Sequence, residues 1–232
     1  MTTPCWGPPR QLPYRYLHIL DTETTGFPGE DDEAHVVEVG IVTLELTRGS
    51  ATPVAEHSWF VRAPVLKPRH LAVCAKISRI TRADIEGGLT PEASAQILLR
   101  HAWTHPGPIT AWNMPFDRRM IRRTLFGLRE ESVHDFGADL KYGAPVDFHM
   151  SDGLIWGGCA ARHYIDAKGP VAGHFDMGGG EPGPRLTTLS HACSLEGVDM
   201  GAGDAHRALW DTKVTSQIVA KLWKGEVVRW DP

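Results

Sequence analysis

Alternating apolar and polar residues predict β-strands in four segments of the chain. Successive side chains of a strand point to opposite faces, and β-branched residues are favoured there. The segments that fit are residues 16–22, 36–46, 56–61 and 108–112. Between the first two lie Gly26, Pro28 and Gly29, which predict a turn.

Helices are predicted from residue 90 onward. Thr90, Pro91 and Glu92 supply an N-cap, a proline at the first helical position and an acid in the first turn. This helix is predicted to end near residue 103, and further helices are predicted at residues 115–128, 152–164, 186–195 and 205–223. Strands followed by strands mixed with helices indicate an α/β fold.

The ends and one internal segment follow different patterns. Residues 1–14 are rich in proline and are predicted to form an extended arm, so residues 15–232 are expected to form a single domain. Glycine and proline are frequent in residues 165–184, which are predicted to form a loop.

Charge and hydropathy narrow the function classes. No apolar run approaches the roughly 20 residues that span a membrane, and residues 1–10 do not resemble a signal peptide, so a cytoplasmic protein without a membrane partner is expected. The formal net charge is −4, whereas proteins that hold long nucleic acids by charge are usually basic. Either the chain does not bind nucleic acid, or it holds a short stretch with the help of a bound metal.

Acidic residues occupy positions where apolar side chains are expected. On the first strand, Leu17, Ile19, Asp21 and Glu23 share one face because side chains alternate with period two. The two carboxylates therefore lie together at the carboxyl end of this strand, where α/β sheets commonly bind ligands.

The helix at residues 115–128 repeats this feature. At about 100° per residue, Asp117 falls within the apolar face formed by Phe116, Met120 and Ile121. Four arginines, at positions 118, 119, 122 and 123, are predicted on the outer side, as a solvated surface or as a phosphate-binding patch.

Asp211 lies in the apolar face of the last helix, so four acids from three elements point inward. Unpaired buried carboxylates are costly and repel one another. A divalent cation would remove that cost, and oxygen-only ligands suit Mg²⁺ or Mn²⁺. His206 lies on the solvent side if the last helix includes it, and can approach the acids only from a position before that helix. The spacing alone leaves open a surface histidine or a general base.

Three segments in order resemble the motifs of the DEDDh exonucleases, the DnaQ-like family that includes polymerase proofreading subunits and ribonuclease T. They are residues 20–27 (LDTETTGF), 113–117 (NMPFD) and 206–211 (HRALWD). Residues 35–42 (HVVEVGIV) are similar to the family's second strand. Two positions depart from the pattern: Arg79 stands where glycine is common, and Trp112 stands where histidine often precedes the asparagine.

The resemblance implies an RNase H-like α/β fold, with a five-stranded mixed sheet and helices on both sides. It implies that two Mg²⁺ or Mn²⁺ ions, about 3.5–4 Å apart, are bound by Asp21, Glu23, Asp117 and Asp211, with His206 as general base. The expected activity is 3′→5′ hydrolysis of DNA or RNA to nucleoside 5′-monophosphates, on a single-stranded 3′ end. The residues expected to border the terminal nucleotide are Thr22, Thr24, Thr25, Asn113 and Phe116.

Alternatives remain open at this stage. The chain could act as a proofreading or repair module beside a separate polymerase, hydrolyse only very short oligonucleotides, or bind without catalysis. All five catalytic-type residues are present, which argues against the last alternative. A homodimer is a further expectation from the resemblance, and Trp112 is a candidate for base stacking.

Overall fold

A four-stranded mixed sheet forms the centre of the structure. The computed structural model describes residues 11–12, 14–27, 34–128, 152–169, 187–201, 206–223 and 226–227. Strands β2 (Tyr16–Thr24), β3 (Val36–Thr47) and β4 (Ser50–Phe60) are antiparallel neighbours. The short β5 (Ile109–Thr110) pairs in parallel with β2, which gives the order β4-β3-β2-β5.

The five-stranded sheet expected from the resemblance is not found in the described ranges. Beyond β5, the described residues include a parallel bridge between Ile109 and Trp156. The chain turns at Gly153, which has a φ of 77°, and enters a helix at Ala160.

Seven helices are described along the chain. They are α1 (Pro68–Ile77), α2 (Arg82–Glu86), α3 (Pro91–Thr104), α4 (Met114–Phe126), α5 (Ala160–Lys168), α6 (Leu189–Glu196) and α7 (Ala208–Leu222). As predicted, α3 begins after the N-cap Thr90, whose side chain accepts a hydrogen bond from the Ala93 N–H. The helix predicted at residues 152–164 is displaced: residue 152 begins a turn, and α5 continues into the predicted loop. Residues 170–184 of that loop lie outside the described residues.

Helices cover both faces of the sheet, as the resemblance implies. On one face, His18 and Thr43 contact His101 of α3, and Thr22 contacts Asp117 of α4. On the other face, α7 packs so closely that a methyl group on Gly40 would lie 2.3 Å from the Ala208 carbonyl carbon. The main core lies between these layers and includes Leu17, Ile19 and Ile218.

Two short strands, one from the first part and one from the last part of the described chain, pair with each other. Strand β1 (Gln11–Leu12) pairs in parallel with β6 (Glu226–Val227). The rest of the predicted N-terminal arm, residues 1–10 and 13, lies outside the described residues. None of the helices described has both the length and the apolar character needed to cross a membrane.

Candidate active site

Three of the predicted acids meet at the carboxyl end of β2. One carboxylate oxygen from each of Asp21, Glu23 and Asp211 lies within 4.8 Å of the other two. Asp21 and Glu23 come from β2, on the face that α7 covers, and Asp211 comes from the first turn of α7. Asp21 and Asp211 are half-buried, so the group retains access to solvent.

The environment favours the protonated form of these acids. Burial, followed by repulsion from Asp117, Asp211 and Glu23, raises the pKa of Asp21 well above its ordinary value. Burial raises the pKa of Glu23 to about 8, against a hydrogen bond from Ser78 that lowers it. Burial likewise raises the pKa of Asp211 to about 6, although His206 opposes this shift.

Asp117 approaches the same strand end from α4. It is only 3% exposed, and its Oδ1 accepts hydrogen bonds from the Thr22 N–H (3.0 Å) and the Thr22 hydroxyl (2.8 Å). Burial raises the pKa of Asp117 to about 7, while the Thr22 hydrogen bonds lower it. The four acids therefore converge, and Thr22 fixes the orientation of the fourth.

His206 lies before α7, which begins at Ala208. Its side chain is exposed and its φ is 64°, a left-handed conformation. This places the imidazole outside the regular helix, on the side where it interacts with Asp211. The requirement derived from the spacing, that His206 precede the helix, is met.

Ser78 is a site residue that the sequence did not indicate. It follows α1, is 3% exposed, and donates a short hydrogen bond to Glu23 Oε2. The next residue, Arg79, has a φ of 56°. Arg79 and His206 are the only non-glycine residues with positive φ in the described part of the chain, and both border this site.

The residues expected to contact the terminal nucleotide differ in their surroundings. The Thr25 hydroxyl accepts a hydrogen bond from the His35 N–H at 2.9 Å, and the Thr24 hydroxyl donates to the Gly26 carbonyl at 2.9 Å. Asn113 is half-buried at the start of α4. Contact with substrate remains a prediction for all five residues.

Phe116 is half-buried and has an aromatic neighbour that the sequence did not single out. Its ring centroid lies 5.8 Å from that of Phe27, which is 59% exposed. Since Phe116 precedes Asp117 and Phe27 follows the end of β2, this pair forms an exposed apolar surface beside the carboxylates.

Two predictions about this region are wrong. The four arginines of α4 do not form a solvated outer face: Arg118 is 4% exposed, and Arg122 Nε lies 3.3 Å from the buried Asp152. The segment that starts at Asp152 packs against this side of the helix. Trp112 is buried, and its indole N–H donates to the Thr187 carbonyl at 3.0 Å, so it packs in the core and offers no face for base stacking.

The donor set fits a hard divalent cation. The three clustered groups offer only oxygen atoms, which Mg²⁺ and Mn²⁺ prefer. Closely spaced, partly buried carboxylates hold protons unless a positive charge compensates them. Among the described residues, the surroundings leave the pKa values of Glu23 and Asp211 raised, mainly because these acids are buried.

No family model and no curated protein sequence matches this chain. Solved structures do match its fold. The nuclease domain of 3′hExo, described as a DEDDh family member bound to rAMP, matches with a TM-score of 0.61 at 15% identity, over 90% of this chain and 92% of that one. A full-length 3′-exonuclease matches with a TM-score of 0.60 at 18% identity, over 90% of this chain and 60% of that one. Escherichia coli exonuclease I in complex with a dT13 oligonucleotide matches with a TM-score of 0.59 at 13% identity, over 88% of this chain and 40% of that one.

These matches establish the fold class. The chain has the mixed α/β fold of the DEDDh 3′-exonucleases, and the resemblance seen in its sequence is confirmed at the level of the fold. It spans 60% of the full-length 3′-exonuclease and 40% of exonuclease I. Its activity therefore has to be argued from its own site.

Proposed function

We propose that this protein is a metal-dependent 3′→5′ exonuclease that removes nucleotides one at a time from a free 3′ end of DNA or RNA. The observation that carries the proposal is the meeting of Asp21, Glu23 and Asp211 within 4.8 Å at the end of β2. Asp117 and His206 border this group. The fold shared with 3′-exonucleases supports the same reaction class.

In the proposed site, Asp21, Glu23 and Asp211 hold two Mg²⁺ or Mn²⁺ ions together with Asp117. Oδ1 of Asp117 is already held by Thr22, so its other oxygen is the one offered. Bound ions of this kind supply Lewis-acid activation of water and stabilise charge on a leaving oxygen. Without bound ions, some of these acids would stay protonated because their pKa values are raised.

His206 acts as general base in this proposal. It removes a proton from the attacking water as the water oxygen bonds to the terminal phosphorus. The bond from phosphorus to the 3′ oxygen of the preceding nucleotide breaks, this oxygen takes up a proton from solvent to become a 3′-hydroxyl, and a nucleoside 5′-monophosphate is released. The imidazole is exposed and precedes α7, so the substrate can reach it.

The aromatic pair Phe27 and Phe116 is proposed to contact the terminal bases, with Thr24 and Asn113 at the border of the same nucleotide. Aromatic rings bind bases of any sequence because every base has a π-face. Some of the matched structures contain DNA and another concerns histone mRNA, so both sugars must be tested.

The proposal is tested by incubating the protein with 5′-labelled single-stranded DNA and RNA of equal sequence, in Mg²⁺, Mn²⁺ or EDTA. We expect a ladder that shortens from the 3′ end only when metal is present. His206→Ala should lose activity by about 10²–10⁴-fold but keep Mn²⁺ binding, whereas Asp21→Ala should lose both. Full activity of Asp21→Ala would exclude the proposed site.

A second candidate function is the hydrolysis of very short oligonucleotides, which the net charge of −4 favours. Comparing kcat/KM for a dinucleotide with that for a long oligomer separates the two candidates. A higher kcat/KM for the dinucleotide would favour the hydrolysis of very short oligonucleotides as the function. Nothing in the described residues or the structural matches favours a polymerase partner or a second copy of the chain.

A further inference from the structure

A fifth carboxylate lies beside the proposed metal site and does not belong to the metal-binding group. Glu38 is 2% exposed and lies on β3, directly opposite Glu23 of β2. Two residues further along β3, Gly40 lies opposite Asp21 and beneath the start of α7. Glu38 therefore occupies the same sheet face as the two acids and increases the repulsion on both.

Both oxygens of Glu38 have donors within the protein. The guanidinium of Arg207 donates from Nη2 to Oε1 at 2.9 Å and from Nε to Oε2 at 3.0 Å. The Ala208 N–H also approaches Oε2, at 3.3 Å. The guanidinium carbon of Arg207 lies 5.4 Å from the centroid of the Phe60 ring. Arg207 is thus fixed by a two-pronged ion pair and an aromatic contact.

This ion pair holds the start of α7. Arg207 is the N-cap residue of α7, and its side chain makes no capping hydrogen bond. Glu38 accepts from the first helical N–H instead and, as an anion, suits the positive end of the helix. The Arg207 carbonyl in turn accepts from the Asp211 N–H at 3.0 Å.

His206 lies next to Arg207 in the chain. Its left-handed conformation is unfavourable for a non-glycine residue, so it persists only where neighbouring contacts hold the backbone in place. The backbone of His206 hydrogen-bonds to the carboxylate of Asp211, and the contacts of Arg207 with Glu38 hold the next residue of the chain. The same contacts orient the first turn of α7, from which Asp211 projects.

We propose that Glu38 and Arg207 are positioning residues of the active site, which hold His206 and Asp211 in place for the reaction. This inference rests on the proposed function, because it assigns the pair a role in the same reaction. Neither residue need touch the substrate. Misplacing a catalytic group by about 1 Å can cost about 10²-fold in rate, so loss of the pair should reduce kcat.

The test compares Glu38→Gln, Arg207→Gln and the double variant with the wild type. Glu38→Gln and Arg207→Gln should each lower kcat by about 10- to 100-fold, with KM within about threefold, because the pair acts through His206 and Asp211. The double variant should be no slower than the slower single variant, since residues that act as a unit give non-additive effects. Arg207→Lys keeps the positive charge but not the two parallel donors of the guanidinium, so its kcat should lie between those of Arg207→Gln and the wild type.

A matched control lies at the other end of β3. Glu45 also pairs with an arginine, and Arg15 Nε donates to its Oε1 at 2.7 Å. Glu45→Gln should remove a Glu–Arg ion pair from the same strand without changing kcat. If Glu38→Gln stays within twofold of the wild-type kcat, or loses no more activity than Glu45→Gln, the inference is wrong.

Hydrogen exchange provides a readout that does not require activity. The Asp211 N–H, which donates to Arg207, should exchange faster in Glu38→Gln than in the wild type, and Glu45→Gln should leave it unchanged. Unchanged exchange in Glu38→Gln would overturn the inference even if the wild type proved inactive. An inactive wild type would instead refute the proposed function, so the two failures are distinguishable.

Discussion

Neutralising Glu23 should stabilise the metal-free protein increasingly as the pH rises. Burial raises the pKa of Glu23 to about 8 in the folded protein, whereas an unfolded chain ionises near the ordinary value of about 4.3. Between these values the folded state holds a proton that the unfolded state releases, so the stability due to Glu23 is present at low pH and is lost as pH rises towards 8. The variant Glu23→Gln removes the titrating group and keeps an acceptor for Ser78.

The size of the effect follows from this difference in proton binding. Each pH unit in this window costs about 1.36 kcal/mol, so the wild type should lose up to about 3 kcal/mol relative to Glu23→Gln between about pH 5 and pH 7.5. For a protein of this size, about 3 kcal/mol corresponds to a difference in Tm of about 6–12 °C. Groups outside the acidic cluster titrate equally in both proteins and cancel in the comparison, whereas the pKa of Asp21 is raised less in the variant because the repulsion from Glu23 is removed.

The assay is thermal unfolding in EDTA at several pH values. The control is Glu92→Gln, which changes an exposed acid at the start of α3 and should show no such trend. Saturating Mn²⁺ should raise the Tm of the wild type more than that of Glu23→Gln, because a ligand stabilises the state that binds it. A difference between wild type and Glu23→Gln that does not change with pH would refute the electrostatic account of the site.

Three further predictions concern positions around the site and the core. Arg79→Gly should raise the free energy of unfolding by about 1 kcal/mol, because glycine adopts a φ of 56° without strain. A Tm of Arg79→Gly that is equal to or below that of Arg79→Ala would contradict this prediction. Gly40→Ala should lower the free energy of unfolding by about 1–3 kcal/mol and should also lower kcat, because the added methyl group would lie 2.3 Å from the Ala208 carbonyl carbon. A variant with the Tm and kcat of the wild type would show that α7 does not pack against Gly40 as described. Burial, followed by repulsion from a neighbouring histidine, lowers the pKa of His101 to about 4. As the pH drops below about 6.5, the unfolded chain therefore takes up a proton at this residue that the folded chain does not, and the free energy of unfolding should fall. Urea unfolding of His101→Gln, which keeps a hydrogen-bonding group near Thr43, should show a weaker acid dependence. An unchanged dependence would refute the account given for His101.

The acids of the candidate active site were predictable because local periodicity determines where they point. Asp21 and Glu23 follow from the period of two on β2, and Asp117 and Asp211 follow from the period of 3.6 on their helices. Each lies within an apolar face, and such a face must be buried. Their convergence depends on the fold, which the three motifs indicated through the resemblance.

Contacts between distant segments could not be predicted in the same way. Arg122 was placed on an outer surface because nothing within α4 covers it, but its partner Asp152 comes from a segment 30 residues further along the chain. Ser78 reaches Glu23 from the end of α1 and carries no motif of its own. A signal for Glu38 was present, because it is a charge in the middle of the apolar strand β3, but its partner Arg207 lies 169 residues away.

The expected fifth strand is not found among the described residues. The resemblance implied a strand beyond β5, and there the structure has a turn at Gly153, a bridge between Ile109 and Trp156, and the start of α5 at Ala160. Residues 152–164 had been predicted as a helix, because a short apolar segment cannot be assigned from periodicity alone.

Release of a 3′-terminal label in the first turnover tests the central claim most directly. An oligonucleotide labelled on its last nucleotide is mixed with excess protein in Mn²⁺, and the products are separated by size. The account predicts that the label appears at once as a nucleoside 5′-monophosphate, that EDTA prevents its release, and that Asp21→Asn abolishes it. Label released within longer fragments, or released equally by Asp21→Asn, would contradict the assignment of this site as that of a 3′→5′ exonuclease.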